Sequence, residues 1–186
     1  MGWYIIDGMD GCGKNTVADA LSAALAKRGR SSHVHTHPSE LITGRISRRL
    51  LQGEGKGMQA FATVFFILDV LISLARMRRW RAYDDIVFVR YIMAVAYLPD
   101  PLVEKGYYLV AKVLPMPEHL ILVDTPPEMA MCRIVDRGHD LEMFETVDKL
   151  SRIRQRMLRL SSKGWKVLDN SDSMDGIERQ VEEYLG

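Results

Sequence analysis

Residues 4–16 read YIIDGMDGCGKNT, and this stretch limits the fold more than any other. A short apolar run, Trp3 to Ile6, is long enough for a buried strand. Gly8, Gly11 and Gly13 punctuate the turn that follows. From Lys14 onward, Val17, Ala18, Leu21, Ala24 and Leu25 recur at helical spacing. Strand, glycine-rich turn and helix in that order are the setting in which a phosphate-binding loop works. Glycines let the backbone wrap an anion with its N–H groups turned inward. The helix then begins with its unpaired N–H groups and positive end facing the same anion. The expected ligand shell is the backbone of Gly8, Asp10, Gly11, Cys12 and Gly13, with Lys14 on the outer phosphates. An ordinary glycine turn leaves the Gly13–Lys14 pair at the helix start without a purpose.

The position after the lysine departs from the usual Ser or Thr, whose hydroxyl meets magnesium. Asn15 stands there, followed by Thr16. Asn15 offers a carbonyl oxygen, which suits a hard cation. Thr16 carries a hydroxyl but lies about 100° further round the helix. The metal expectation is therefore Mg2+ at Asn15 and Thr16, with ATP as the nucleotide.

A chain of 186 residues suits one domain, 1–186, with a small lid. Lys plus Arg total 25 against 24 for Asp plus Glu, which argues against a stable nucleic-acid partner. Basic residues cluster only locally, as at 76–81 and 152–159. Cys12 and Cys132 are too few for a disulfide framework and lack metal spacing; Cys132 is expected in the core. The first strand begins without a basic leader, and no apolar run reaches the length of a membrane span. These features lead to the expectation of a cytoplasmic protein with no membrane partner.

Further on, Gly29 is placed to end the first helix and 32–36 (SHVHT) reads as a second strand. Its alternate His33, His35 and His37 share one face, read as a partly exposed strand ending at a site mouth rather than as a zinc centre. A helix is expected from Arg45 to Leu51. A long one follows from Met58 to about Arg81, with Phe61, Val64, Phe65, Leu68, Leu71, Ile72 and Ala75 facing the core. IVFV at 86–89 and LILV at 120–123 read as interior parallel strands. Arg90 and Tyr91 fall at the carboxyl end of the first of these, where open α/β sheets bind ligands. Helical patterns at 92–98 and 102–114 are broken by Pro99 and Pro101. Helices at 128–136, 146–160 and 175–185 and a last strand at 165–168 complete the alternation. The fold class is α/β: a mostly parallel five-stranded sheet with helices on both faces, of the P-loop nucleoside triphosphate hydrolase type.

With these positions placed, the chain resembles the thymidylate kinase family of P-loop nucleoside monophosphate kinases over nearly its whole length. The opening loop is similar to the family's Gly-x-Asp-Gly-x-Gly-Lys. Pro38, Gly44 and Arg48 keep the spacing of its acceptor loop, although His37-Pro38-Ser39 replaces Glu-Pro-Gly. Phe66 to Asp69 resembles Phe-Ala-Ala-Asp, but Val70 stands where an arginine is usual. Arg90-Tyr91 resembles the end of Asp-Arg-Tyr, with Val89 in place of the acid. Asp136, Arg137, Gly138, Asp140 and Glu145 resemble a lid, set at 137–147, and Arg154 falls on the post-lid helix.

The resemblance implies ATP-dependent phosphorylation of a nucleoside monophosphate, most simply dTMP to dTDP, and a homodimer. It implies that Pro38, Arg48, Phe66, Asp69, Arg90 and Tyr91 meet the acceptor. Gly11 occupies a position where some members carry an arginine, so Arg137 and Arg154 are expected to bring that charge to the transferring group. Asp69, Phe66 and Tyr91 have a structural alternative, as do Asp7 and Asp10, which brace tight turns equally well. The departures at 15, 70 and 89 leave two other readings open: a nucleotide-binding relative with little kinase activity, or a kinase for a different small acceptor.

Overall fold

The structure, a computed structural model, describes residues 2–51, 56–136 and 146–186; the side chains of 47–51 and 56–63 are not described. Five parallel strands form one sheet: β1 (Gly2–Asp7), β2 (Ser32–Thr36), β3 (Asp85–Val89), β4 (His119–Asp124) and β5 (Lys166–Asp169). Their spatial order is β2-β3-β1-β4-β5. The chain therefore leaves the central β1 on one side first and on the other side later. That places the loop after β1 at the middle of the carboxyl edge, where such sheets bind ligands.

Helix α1 (Lys14–Lys27) follows β1, and Gly29, with φ of 73°, closes it. α2 (Ile42–Leu51) and α3 (Lys56–Arg76) join β2 to β3. α4 (Asp100–Val113) joins β3 to β4, and α5 (Pro127–Asp136) and α6 (Val147–Ser161) join β4 to β5. α7 (Met174–Leu185) closes the chain against α1. Right-handed crossovers put α1 and α7 on one face and the remaining long helices on the other. One apolar cluster fills both sides of the sheet: all of β3 is buried, as its continuous apolar run requires.

Several element boundaries differ from those their pattern indicated, for stated reasons. Pro101 does not break α4, because it occupies the first turn, where a missing N–H is harmless. Thr146 is not the first residue of α6 but its N-cap, its hydroxyl accepting from the Lys149 N–H at 3.4 Å. α2 begins at Ile42, three residues before Arg45. Residues 77–80 form a 3-10 turn rather than the end of α3.

The expected inner face of α3 is the largest correction. Val64, Leu68 and Leu71 are 52%, 42% and 37% exposed. The inward stripe is Phe66, Asp69, Val70 and Ser73, all buried. The helix is apolar nearly all round, so periodicity does not choose a side. The choice falls to the polar pair: Asp69 and Ser73 have partners only on the inside. Cys132, expected in the core, is exposed on α5, whose buried residues are Pro127, Ala130 and Ile134. No helix among the described residues is long and apolar enough to cross a membrane.

Candidate active site

The loop after β1 is held from below and from both flanks. Gly11 (φ 75°) and Gly13 (φ 86°) take left-handed conformations that side chains resist. At Gly13 a Cβ would lie 2.1 Å from the Asn170 amide nitrogen. That nitrogen donates to the Cys12 carbonyl at 2.8 Å, and the Thr125 hydroxyl donates to the same oxygen at 3.1 Å. Arg133, on α5, donates to the Asn170 carbonyl at 3.0 Å. Cys12 contributes its carbonyl to these bonds, and its sulfur lies 3.8 Å from the Lys14 Nζ. Its thiol is fully buried, and burial pushes its pKa up.

Lys14 opens α1 with its side chain folded back over the loop. Its Nζ donates to the carbonyls of Gly8 at 2.9 Å and Met9 at 2.6 Å. Burial lowers the ammonium's pKa, with the Cys12 and Asp10 side chains acting against that. A cation surrounded by carbonyl oxygens on a flexible stem is ready to exchange them for phosphate oxygens.

Across the loop stands Arg90. Its guanidinium donates to the Asp10 carboxylate, whose other oxygen accepts from the Tyr97 hydroxyl at 2.6 Å. The Asp10 N–H returns to the same tyrosine oxygen at 3.2 Å. Val89, where an acid is usual, is fully buried, so the carboxylate facing Arg90 comes from the loop instead. Asp7 is buried beneath, one oxygen accepting the N–H groups of Tyr91, Ile92 and Met93 at 3.1, 2.9 and 3.0 Å. Burial raises its pKa despite those three bonds.

A cleft of about 480 Å³ runs over these groups, lined by Gly11, Gly13, Lys14, Asn15, Thr36, His37, Pro38, Arg90 and Arg133. It gathers residues of the loop after β1 and of the segments that follow β2 and β3 into one space. Other expected site residues lie elsewhere. Tyr91 does not line the cleft: it is buried against Trp3 and Phe88, and its hydroxyl donates to the Pro115 carbonyl at 2.9 Å. The strand turns after Arg90, which carries Tyr91 under the sheet edge. Asp69 binds no open space. Its carboxylate accepts from the Ser39 N–H and hydroxyl at 2.7 and 2.6 Å and the Thr43 hydroxyl at 2.8 Å, fastening the loop that carries Pro38. Ser39, in place of a glycine, is thereby put to use.

Phe66 is buried with its ring 6.1 Å from that of His37, and Thr16 is half-buried on α1; neither lines the cleft. Arg154 is held by Asp124 in a two-bond pair, both at 2.7 Å, away from the cleft lining. Arg137 and 137–145 of the expected lid lie outside the described residues, as does the side chain of Arg48.

Sequence reading missed Arg133, Asn170, Thr125 and Tyr97. Thr125 and Asn170 follow β4 and β5 directly, so the carboxyl-edge rule had the power to find them. Arg133 and Tyr97 carry no local signal. His33 and His35 of β2, and His37 just after it, form a ladder against Trp80 and Phe88. His35 meets the Ser73 hydroxyl at 2.9 Å, and His37 Nδ1 donates to the Arg90 carbonyl at 2.9 Å. Among the described residues no His, Cys, Asp and Glu group is arranged to hold a metal.

Burial lowers the pKa of all three imidazoles, that of His37 to about 4. The unfolded chain takes up these protons first, near pH 6.5. For His37 the stability is therefore whole above about pH 6.5 and falls as pH drops toward about 4, by up to about 1.4 kcal/mol per pH unit, and the more exposed His33 and His35 act in the same direction. Urea unfolding across pH 4 to 7 measures this; a midpoint flat below pH 6.5 contradicts it.

The family model for thymidylate kinase matches residues 6–181 of the chain. The thymidylate kinase of Leptospira borgpetersenii serovar Hardjo-bovis is 27% identical, over 98% of this chain and 92% of that protein. The thymidylate kinase of Xanthomonas euvesicatoria pv. vesicatoria is 31% identical, over 95% of this chain and 79% of that one. In fold, the chain is similar to the solved thymidylate kinase of Candida albicans, with a TM-score of 0.79 at 18% identity, over 99% of this chain and 90% of that one.

Proposed function

The chain belongs to the thymidylate kinase family, and on that premise we propose that its cleft carries phosphoryl transfer from ATP to dTMP, giving ADP and dTDP. The observation that supports this reading best is that Lys14 and Arg90 line one cleft from opposite loops. Donor and acceptor phosphates each find a cation there. An oxygen of the acceptor phosphate attacks the γ-phosphorus while the bond to the β–γ bridging oxygen breaks. Such transfer needs positioning and charge neutralisation more than covalent help. The loop N–H groups and Lys14 hold the donor phosphates, and Arg90 holds the acceptor phosphate by its two-nitrogen fork. Arg133 lines the cleft beside Gly13 and Lys14, and it supplies the donor-side charge first expected of Arg154.

Magnesium fits the residues present at Asn15, whose exposed amide lines the cleft at the first turn of α1. One protein oxygen is enough, since phosphates and water fill most Mg2+ positions. The ion, when bound, neutralises charge on the phosphate oxygens. Val70 is fully buried and does not line the cleft, so position 70 offers the acceptor no guanidinium. The exposed Val64, Leu68 and Leu71 stripe on α3 suits a second copy of the chain; a monomeric sedimentation mass at micromolar concentration contradicts a homodimer. Cytoplasmic placement belongs to the same proposal and is read by fractionation. A binder without turnover is not favoured, because the family match spans nearly the whole chain.

Coupled ADP release across the common monophosphates tests the reading, and no release with dTMP overturns it. In that assay Arg90→Ala raises the KM for dTMP by about tenfold to a hundredfold, the scale of a hydrogen bond to a charged group. Its KM for ATP stays within about twofold; equal losses on both sides contradict the acceptor role.

A further inference from the structure

Three strands end level at the carboxyl edge. Thr36, Val89 and Ile6 pair across β2, β3 and β1, so the next row is His37, Arg90 and Asp7. Arg90 has a φ of 64°, a left-handed conformation that a side chain makes unfavourable. Its backbone is fastened on every side. The Arg90 N–H donates to the Ile6 carbonyl at 3.0 Å. The next three N–H groups converge on Asp7. The two remaining carbonyls both go to one residue: the His37 main-chain N–H donates to Val89 O at 2.9 Å, and its Nδ1–H donates to Arg90 O at 2.9 Å.

We propose that His37 is a positioning residue for acceptor binding: its imidazole pins the left-handed Arg90 peptide so that the guanidinium faces the acceptor phosphate. The proposal rests on the reading of Arg90 as the acceptor clamp. The chemistry of the position supports it. The carbonyl acceptor sets the tautomer, with the proton on Nδ1. The ring is fully buried and lies parallel to Phe88 at 5.4 Å, a place for a neutral, flat, donating side chain. A carboxylate there has no hydrogen to give this carbonyl. Asp7 grips the same peptide from the other side, so a loosened Arg90 keeps its strand but loses its aim.

The test is steady-state kinetics with dTMP and ATP on His37→Leu, His37→Asn, Arg90→Ala and the His37→Leu/Arg90→Ala double variant. Leucine removes the donor and keeps the bulk. Asparagine sets an N–H close to where Nδ1 stands. The expected result is a KM for dTMP raised about tenfold by His37→Leu, with the KM for ATP within about twofold and most of the loss restored by His37→Asn. In the double variant the leucine adds nothing to the loss already caused by Arg90→Ala, because it acts through that arginine. A merely structural His37 adds its own loss and overturns the proposal. If Arg90→Ala itself leaves the KM for dTMP unchanged, the clamp reading fails; if it raises that KM and His37→Leu does not, positioning alone fails. Should His37→Leu not fold, His37→Asn against His37→Gln decides. Gln moves the N–H one bond outward, and equal KM values for the two overturn the proposal.

Discussion

Lys14→Ala lowers kcat/KM for phosphoryl transfer by at least about a thousandfold, the scale of removing a charged group aimed at the transition state. The argument starts from geometry. The Lys14 ammonium sits within 2.9 Å of the Gly8 and Met9 carbonyls, at the lip of the cleft that also holds Arg90. Among the described residues no other lysine lines that cleft. Asn15 and the loop glycines offer dipoles, which do not replace a full positive charge on the outer phosphates. The fold survives, because α1 keeps Val17, Ala18, Leu21 and Leu25 in the core. Coupled ADP release, with circular dichroism to verify folding, reads the effect. Turnover within tenfold of the unchanged protein sinks the assignment of the loop.

Gly11→Ala destabilises the fold by about 2–5 kcal/mol, from the left-handed backbone plus overpacking. The added Cβ would stand 2.3 Å from the Ala130 carbonyl oxygen, 2.8 Å from its carbon and 3.0 Å from its Cα. These are backbone atoms of α5, and the Ala130 N–H is tied to Pro126 O at 3.0 Å, so nothing local gives way cheaply. Against a typical total of roughly 5–15 kcal/mol the loss is large. Binding suffers as well, since the loop and α5 must part and Arg133 moves with α5. An arginine at this position is blocked for the same reason. Urea unfolding and ATP titration calorimetry measure the two effects; an unchanged midpoint together with unchanged ATP affinity contradicts the packing argument.

The strand, loop and first helix were legible because every requirement there is local. An apolar run, three glycines and a lysine at set offsets describe a turn without reference to anything distant. IVFV and LILV were legible for a similar reason, as a strand covered on both faces is apolar throughout. Arg90 followed from its place after such a strand. Legibility stopped where a residue's role depends on a partner far along the chain. Asp10 meets Arg90 and Tyr97 across 80 and 87 positions, and Asn170 reaches Cys12 across 158. Arg154 reads as a site cation, and in the fold its Nε and Nη2 donate to Asp124. Tyr91 reads as a cleft aromatic until the turn at Arg90 sends it under the sheet.

By itself the sequence determined the anion loop, the parallel α/β alternation and the family, because those depend on spacing over a few residues or on a pattern repeated along the chain. Only the tertiary structure decided which side of α3 faces inward, which carboxylate faces Arg90, and that Asp7 and His37 hold it. Strand register sets those pairings. Register is a property of three strands aligned together, and no one of them carries it alone.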